Sequence, residues 1–176
     1  MHNRLILLAL APAAIVSPAW GEVYMTLPQV QGLMFPGQHL REDFRTMTPA
    51  QHDAIEAQSD VNVLNRDVKL WKAADGGALI IDQVVGKHEF ITYAVALDAS
   101  GAVRDIEIIE YKETYGGQIR DPAWRQQFIG KRNGAPLRLG QDIRNNSGGT
   151  LSARHITDGV KRLLATYAIL YDNGRA

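Results

Sequence analysis

Three apolar segments in close succession constrain the fold of this chain more strongly than any other feature. Residues 78–85, 89–97 and 103–111 are rich in β-branched and aromatic side chains, and each has the length of a single strand. The second and third segments are joined by Asp98-Ala99-Ser100-Gly101, whose composition is typical of a hairpin turn. Connections this short join antiparallel strands, because a parallel pair needs a crossover of about a dozen residues or more. The sequence therefore predicts an antiparallel meander.

A fourth strand is predicted over residues 67–73, where apolar and polar side chains alternate. Neighbouring residues of a strand point to opposite faces of the sheet. Val68 and Leu70 should therefore share one face, and Trp71 should lie on the other. A short edge strand is also expected over residues 136–139.

Helices are predicted before and after these strands. Thr48-Pro49-Ala50-Gln51 combines a helix N-cap, a proline at the first helical position and a capping-box glutamine, which indicates a helix over about 49–58. A short helix around 27–34 and a helical turn over 121–128 are also expected. Over roughly 151–171, apolar residues recur at helical spacing, which predicts a C-terminal amphipathic helix. The apolar residues of this helix are Leu151, Ile156, Val160, Leu163, Leu164 and Tyr167.

The loop before this helix, Asn146-Ser147-Gly148-Gly149, consists of small and polar residues and leads directly into Thr150. Free backbone N–H groups and the helix dipole favour an anion at a helix start, and glycines let a phosphate approach the main chain. Thr150 would add an accessible hydroxyl to such a site. The alternative is an ordinary glycine loop in which Ser152 is the N-cap of the helix.

The chain has 176 residues, enough for one domain with an apolar core and too few for two ordinary domains. We expect an α+β fold: a single domain with an antiparallel sheet meander, flanking helices and a C-terminal amphipathic helix. Residues 22–64 are expected to form an N-terminal helical segment, and residues 65–176 the domain that contains the sheet.

The composition excludes several classes of function. Lys plus Arg equals Asp plus Glu at 19 each, a balance that gives no support to nucleic-acid binding. The chain has no cysteine, so disulfides, iron–sulfur ligation and c-type haem attachment are excluded. The five histidines show no metal-ligand spacing, and no metal site is predicted. A P-loop, a G-x-G-x-x-G fingerprint and a nucleophile elbow are also missing from the sequence.

Residues 1–21 have the pattern of a secretory signal peptide. A short polar start is followed by an apolar run from Leu5 to Val16, and Ala19 and Gly21 supply small residues before Glu22. The apolar run is too short to span a bilayer comfortably. We therefore expect an exported, periplasmic protein. An uncleaved N-terminal anchor, which would leave the protein associated with the membrane, is the alternative.

The segment Ser147-Gly148-Gly149-Thr150-Leu151-Ser152 resembles the Ser-Gly-Ala-Thr-x-Ser/Thr signature of the FMN-binding domain family. In that family the threonine bears FMN through a phosphoester bond, which an FAD:protein FMN transferase forms. The resemblance extends over roughly 65–172 and implies an FMN-binding domain with covalent FMN on Thr150. The implied cofactor contacts in this segment are Ser147, Gly148, Gly149, Leu151 and Ser152.

Two residues depart from the pattern of the family. Gly149 stands where alanine is usual, and Arg144 stands where an aspartate usually precedes the signature by three residues. The nearest acidic residue is Asp142. An arginine at this position could instead pair with a phosphate. The departures favour an alternative, a binding or interaction module of the same fold that is not flavinylated.

A second segment, Lys112-Glu113-Thr114-Tyr115-Gly116-Gly117, resembles the Glu-Thr-x-Gly segment that the family has between its sheet and its flavin loop. The resemblance implies that Glu113, Tyr115 and Gly116 lie near the isoalloxazine ring, where Tyr115 could stack. The alternative is an ordinary turn after a strand, with exposed polar residues.

Two further groups of polar residues are candidates for cofactor contacts. Gly86-Lys87-His88-Glu89 stands at the start of a predicted strand and is either a solvated strand end or a polar contact to the cofactor. His155 lies one turn into the C-terminal helix beside Arg154, and its partner is either a phosphate or solvent.

These expectations together predict an exported flavoprotein with FMN on Thr150 that acts in extracytoplasmic electron transfer. The expected partners are the FMN transferase and redox partner proteins, of which a membrane electron-transport complex is one candidate. The flavin would supply the redox chemistry, so the chain itself need not be catalytic. A flavin-dependent oxidoreductase with its own small substrate is a further alternative, although no acid–base pair is evident.

Overall fold

A computed structural model describes residues 22–113, 115–145 and 149–171. The predicted signal peptide therefore lies outside the described residues. The strands are β1 (Glu22–Val23), β2 (Arg41–Glu42), β3 (Arg45–Thr46), β4 (Asp67–Lys72), β5 (Ala78–Val85), β6 (Phe90–Leu97) and β7 (Val103–Tyr111). The helices are α1 (Leu27–Met34), α2 (Pro49–Ser59), α3 (Pro122–Arg125) and α4 (Thr150–Leu170), with 3₁₀ turns over Gly117–Arg120 and Gln126–Phe128.

Antiparallel pairs join the strands of the described ranges into one sheet. The order across the sheet is β1-β7-β6-β5-β4-β2, and β3 also pairs with β4. The predicted meander is β5-β6-β7, with β5 and β6 in register from Ala78↔Leu97 to Val85↔Phe90. The α+β prediction, including the C-terminal helix, is confirmed. None of the helices in these ranges has the length and apolar character needed to cross a bilayer.

Both faces of the sheet are covered, and each has its own apolar core. Val68 and Leu70 of β4 belong to the larger core, which α2 and α4 share with the sheet. Trp71 belongs to the smaller core, which contains Val30 and Met34 of α1. The alternation predicted for β4 is therefore confirmed, and it places an apolar side chain on each face.

The local signals for helices were reliable. Thr48 caps α2 by accepting a hydrogen bond from the Gln51 N–H at 3.2 Å, and the Gln51 side chain accepts one from the Thr48 N–H at 2.9 Å. The helical turn predicted over 121–128 is α3 with the 3₁₀ turn that follows it. Asp121 caps α3 by accepting from the Ala123 N–H at 2.9 Å.

The edge strand predicted over 136–139 is wrong. The backbone N–H groups of Leu137 and Arg138 donate to the carboxylate of Asp142, at 3.1 and 2.7 Å. These groups therefore have a side-chain partner in place of a neighbouring strand. A single bridge between Leu139 and Ile143 is the only strand-like pairing of this segment within the described residues.

Helix α4 lies across the sheet with most of its predicted apolar face buried. Ile156, Val160, Leu163 and Leu164 are at most 4% exposed. Leu151 is the exception at 46% exposed, because Ser152 and Ala153 occupy the buried side of the first turn. The first turn and the middle of α4 therefore differ: the first turn leaves an apolar side chain in solvent, and the middle is packed into the core.

A glycine allows the close approach between α4 and the sheet. A Cβ atom at Gly159 would lie 2.7 Å from Cγ1 of Val84 and closer still to the hydroxyl of Tyr93, which is fully buried. Next to this crossing, Arg162 donates to the Asp82 carboxylate at 2.5 Å, and the Tyr93 hydroxyl donates to the same carboxylate oxygen at 3.1 Å. The crossing thus combines close packing with a partly buried ion pair.

We predict that Gly159→Ala destabilises the protein. The gain in helix propensity is about 1 kcal/mol, and the overpacking against Val84 and Tyr93 costs about 1–3 kcal/mol, so the net change is unfavourable. The matched control is Gly32→Ala in α1, where an added Cβ meets nothing within 4 Å. That variant should be stabilised by about 0.5–1 kcal/mol. Urea denaturation measures both, and equal midpoints for the two variants would contradict the packing argument.

Candidate functional site

Three loops meet at one end of the sheet. Val85 pairs with Phe90 and Ile91 pairs with Tyr111, so the end of β5, the start of β6 and the end of β7 lie side by side. The three are the β5–β6 loop (residues 86–89), the post-β7 loop (112–113 and 115–117) and the pre-α4 loop (144–145 and 149). Of the predicted site residues, Ser147 and Gly148 lie outside the described residues, as does Thr114 of the second motif.

Thr150 is the first residue of α4, as predicted from the sequence. Its side chain is exposed, and its hydroxyl oxygen accepts a hydrogen bond from Nδ2 of Asn145 at 3.0 Å. The first intrahelical bond runs from the Ala153 N–H to the Gly149 carbonyl at 2.9 Å. The N–H groups that precede Ala153 in the first turn have no helical acceptor, which is the usual basis of anion binding at a helix start.

The pre-α4 loop and the post-β7 loop touch through two glycines. A Cβ atom on Gly149 would lie 2.9 Å from the Cα of Gly116 and 3.3 Å from the Gly116 carbonyl oxygen. Gly116 has φ +97°, and a Cβ there would lie 2.5 Å from the Tyr111 hydroxyl and 2.8 Å from the Ser152 hydroxyl. The two main chains approach this closely only because neither residue has a side chain.

Tyr111 and Ser152 link the end of the sheet to the first turn of α4. The Tyr111 hydroxyl lies 3.0 Å from the Ser152 hydroxyl, and it also donates to the carbonyl of Tyr115. Burial raises the pKa of Tyr111, and the Ser152 hydroxyl works in the opposite direction. Ser152 is therefore a buried residue inside the helix, and the alternative in which it is the N-cap is wrong, since Gly149 precedes the first helical residue.

Glu113 connects the post-β7 loop to the β5–β6 loop. One carboxylate oxygen accepts from the His88 N–H at 2.5 Å and from the Glu89 N–H at 3.0 Å. Burial works against the charged form, but these backbone donors outweigh it and lower the pKa of Glu113. The predicted strand start at 86–89 is thus a loop around this carboxylate, and β6 begins at Phe90. A contact between Glu113 and the flavin ring stays a prediction.

The remaining predicted contacts differ in accessibility. Tyr115 is 81% exposed and Leu151 is 46% exposed, so both side chains are available to a ligand or a partner. His155 is partly buried, and its Nδ1 is a buried atom without a hydrogen-bond partner in the described part of the chain. The neighbouring Asp158 has a pKa raised by burial, against which the charge of His155 acts.

Helix α3 holds the beginning of the pre-α4 loop. Nε1 of the buried Trp124 donates to the Arg144 carbonyl at 2.8 Å. The Arg144 N–H and its side-chain Nε both donate to Oε1 of Gln127, at 2.8 and 3.2 Å. Sequence reasoning did not assign Trp124, Gln127 or Asn145 to the site. No local pattern links Trp124 or Gln127 to Thr150, because α3 and the 3₁₀ turn after it lie some way along the chain from the helix start. Asn145 is close to Thr150 in sequence but lies outside the signature segment.

Comparison with known proteins agrees with this arrangement. Residues 86–165 match the family model of the FMN-binding domain. The chain contains an FMN-binding domain. The matched region begins at the β5–β6 loop and includes all three loops and most of α4. No curated protein matches the chain.

The two departures from the family pattern have a structural setting in this FMN-binding domain. Gly149 packs against the main chain of Gly116, so the usual alanine would need a backbone shift here. Arg144 is held to Gln127 through its backbone and its Nε, and its side chain is exposed beside the pre-α4 loop. The site therefore has a cation where the family usually has a carboxylate.

We predict that Gly116→Ala disrupts the contact between the loops. The substitution places a Cβ against two hydroxyl groups at a positive φ, which should lower the free energy of unfolding by about 1–3 kcal/mol. The control is the adjacent Gly117→Ala, whose Cβ meets nothing within 4 Å and which should change stability by less than about 0.5 kcal/mol. Chemical denaturation measures the free energy of unfolding of both variants. Similar decreases in the two would contradict the prediction.

A second prediction concerns pH. Glu113 has a lowered pKa in the fold, so its charged form contributes stability that is complete above the ordinary value of 4.5 and is lost as pH falls through the lowered pKa. Glu113→Gln should therefore cost about 1 kcal/mol at pH 7 and progressively less toward pH 3. Unfolding free energies measured across this range test the sign. The exposed Glu42→Gln on β2 controls for the loss of one negative charge.

Proposed function

We propose that this protein bears FMN covalently on Thr150, through a phosphoester bond to the side-chain oxygen, and acts in electron transfer outside the cytoplasm. The observation that supports the proposal is the exposed Thr150 hydroxyl at the first residue of α4, inside an FMN-binding domain. A nucleophilic oxygen and a phosphate-binding helix start are thus combined in one residue.

The residues around Thr150 fit a phosphate and a flat ring. The first N–H groups of α4, which have no acceptor within the helix, are candidate donors to a phosphate, and the exposed Arg144 can pair with phosphate oxygens. The absence of a side chain at Gly149 lets the start of α4 lie directly against the main chain of Gly116. Tyr115 is the exposed aromatic side chain nearest in sequence to the Gly116–Gly149 contact, and it suits stacking on a ring.

Bound flavin supplies the electron-accepting and electron-donating chemistry. The contribution of the protein is to attach the cofactor and to hold it at one end of a rigid sheet. Attachment requires an FAD:protein FMN transferase, and electron transfer requires redox partner proteins, for which a membrane electron-transport complex is a candidate. A covalent bond suits an exported carrier, since a dissociated flavin would be lost outside the cytoplasm. The pattern of residues 1–21 is the basis for proposing export.

A second candidate function is a binding or interaction module that retains the fold without the modification. The presence of Arg144 in place of an aspartate favours it, because a transferase that requires the carboxylate would not act here. The two candidates differ in covalent mass and in colour, and one experiment separates them.

We predict that the exported protein, co-expressed with an FMN transferase, gains the mass of one FMN minus one water. Thr150→Ala should abolish the gain because it removes the acceptor oxygen, and Thr150→Ser should retain part of it. Thr46→Ala is the matched control, since Thr46 is exposed on β3, away from the three loops. Intact-mass spectrometry and flavin fluorescence in a denaturing gel provide the readout. A colourless wild type with the unmodified mass would exclude the flavoprotein function and leave the interaction module.

A further inference from the structure

We propose that Asn145 is a positioning residue for the Thr150 hydroxyl during attachment of FMN. The inference rests on the function proposed above and adds a residue that the signature segment does not contain. The observation that supports it is a hydrogen bond of 3.0 Å from Nδ2 of Asn145 to Oγ1 of Thr150. The bond links the beginning of the pre-α4 loop to the first residue of α4.

The backbone next to Asn145 is held in place by contacts that do not involve Thr150. The preceding residue, Arg144, has both backbone groups engaged by α3 and the 3₁₀ turn that follows it: its carbonyl accepts from Trp124 at 2.8 Å and its N–H donates to Gln127 at 2.8 Å. Trp124 is 3% exposed and belongs to the main core. The Asn145 side chain therefore starts from an anchored point, and its bond orients Thr150 toward one of its staggered rotamers.

The direction of the hydrogen bond suits a nucleophile. Asn145 donates and the Thr150 oxygen accepts, so the hydroxyl proton is not used in this bond and can be removed by a base. As the proton leaves, negative charge grows on the oxygen, and an N–H donor directed at it becomes more stabilising. An acceptor at position 145 would bind the hydroxyl proton instead and would offer no donor to the negative charge that develops on the oxygen.

The attachment step that Asn145 would assist is a balanced group transfer. The Thr150 oxygen forms a bond to the phosphorus on the FMN side of FAD, and the phosphoanhydride bond from that phosphorus to the AMP oxygen breaks. AMP leaves, and the threonine proton passes to a base of the transferase. No electron is gained or lost in this step. Asn145 would therefore only orient the attacking oxygen and stabilise the negative charge that develops on it.

The test measures the initial rate of FMN attachment by purified transferase at saturating FAD, followed by intact mass. Asn145→Ala should be slower than wild type by about three- to tenfold, the effect of one partly exposed neutral hydrogen bond. The loss should fall on kcat, with the KM for the acceptor protein unchanged. Asn133→Ala, an exposed asparagine in a turn outside the three loops, should react at the wild-type rate.

Two conservative variants separate positioning from loop stability. Asn145→Gln retains a carboxamide donor and should recover part of the lost rate. Asn145→Asp is of equal size but can donate only when protonated, so its rate relative to wild type should rise as pH falls. Because the protonated carboxyl of the Asn145→Asp variant would also restore the bond that stabilises the loop, urea midpoints are measured at each pH. Matching urea midpoints would show that the variants are folded.

The outcomes distinguish this inference from the function on which it rests. If the wild type is labelled on Thr150 and Asn145→Ala is labelled at the same rate, the positioning role is overturned and the flavoprotein function stands. An Asn145→Asp variant that equals or exceeds wild type at neutral pH also overturns it, because an acceptor would then serve as well as a donor. A wild type that takes up no FMN overturns both.

Discussion

The contact between the main chains of Gly116 and Gly149 is the constraint on which the rest of the site depends. One glycine follows β7 and the other precedes α4, and a Cβ on either would meet backbone or hydroxyl atoms within 3 Å. Because the two loops touch directly, the Tyr111 and Ser152 hydroxyls come within 3.0 Å of each other and Thr150 begins the helix at the end of the sheet. A bulkier residue at either position would separate the helix start from the strand end.

Helix α4 is held along its length by different interactions, and this makes the position of Thr150 well defined. Its middle crosses the sheet at Gly159 with the partly buried Arg162–Asp82 pair beside it. At its end, the Leu170 carbonyl accepts from the Arg45 guanidinium, and the Tyr171 hydroxyl donates to the Asp43 carbonyl at 2.8 Å. Arg45 of β3 and Asp43, which lies between β2 and β3, thus hold the far end of the helix that begins at the site.

The site separates residues that support the loops from residues that remain accessible. Glu113, Tyr111 and Trp124 bind backbone groups or hydroxyls of the loops. Thr150, Tyr115 and Leu151 are exposed around the helix start. The proposed attachment of FMN to Thr150 needs room for a modifying enzyme. The exposed side chains leave that room, while the supporting contacts hold the start of α4 in place.

The sequence by itself determined the main elements and the position of Thr150 at the start of α4. The meander, the capping box of α2 and the placement of Thr150 at the start of α4 followed from turn composition, capping residues and helical periodicity, which act over a few residues. Tertiary structure decided the contacts between elements, which these local patterns do not describe. The Asp142 carboxylate accepts hydrogen bonds from N–H groups of the expected edge strand at 136–139, and Ser152 lies inside the helix. The contact between Gly116 and Gly149 and the Trp124–Arg144 bond join residues that are distant in the chain. Such contacts depend on the distance between two elements that pack against each other. The spacing of residues in the sequence does not encode that distance.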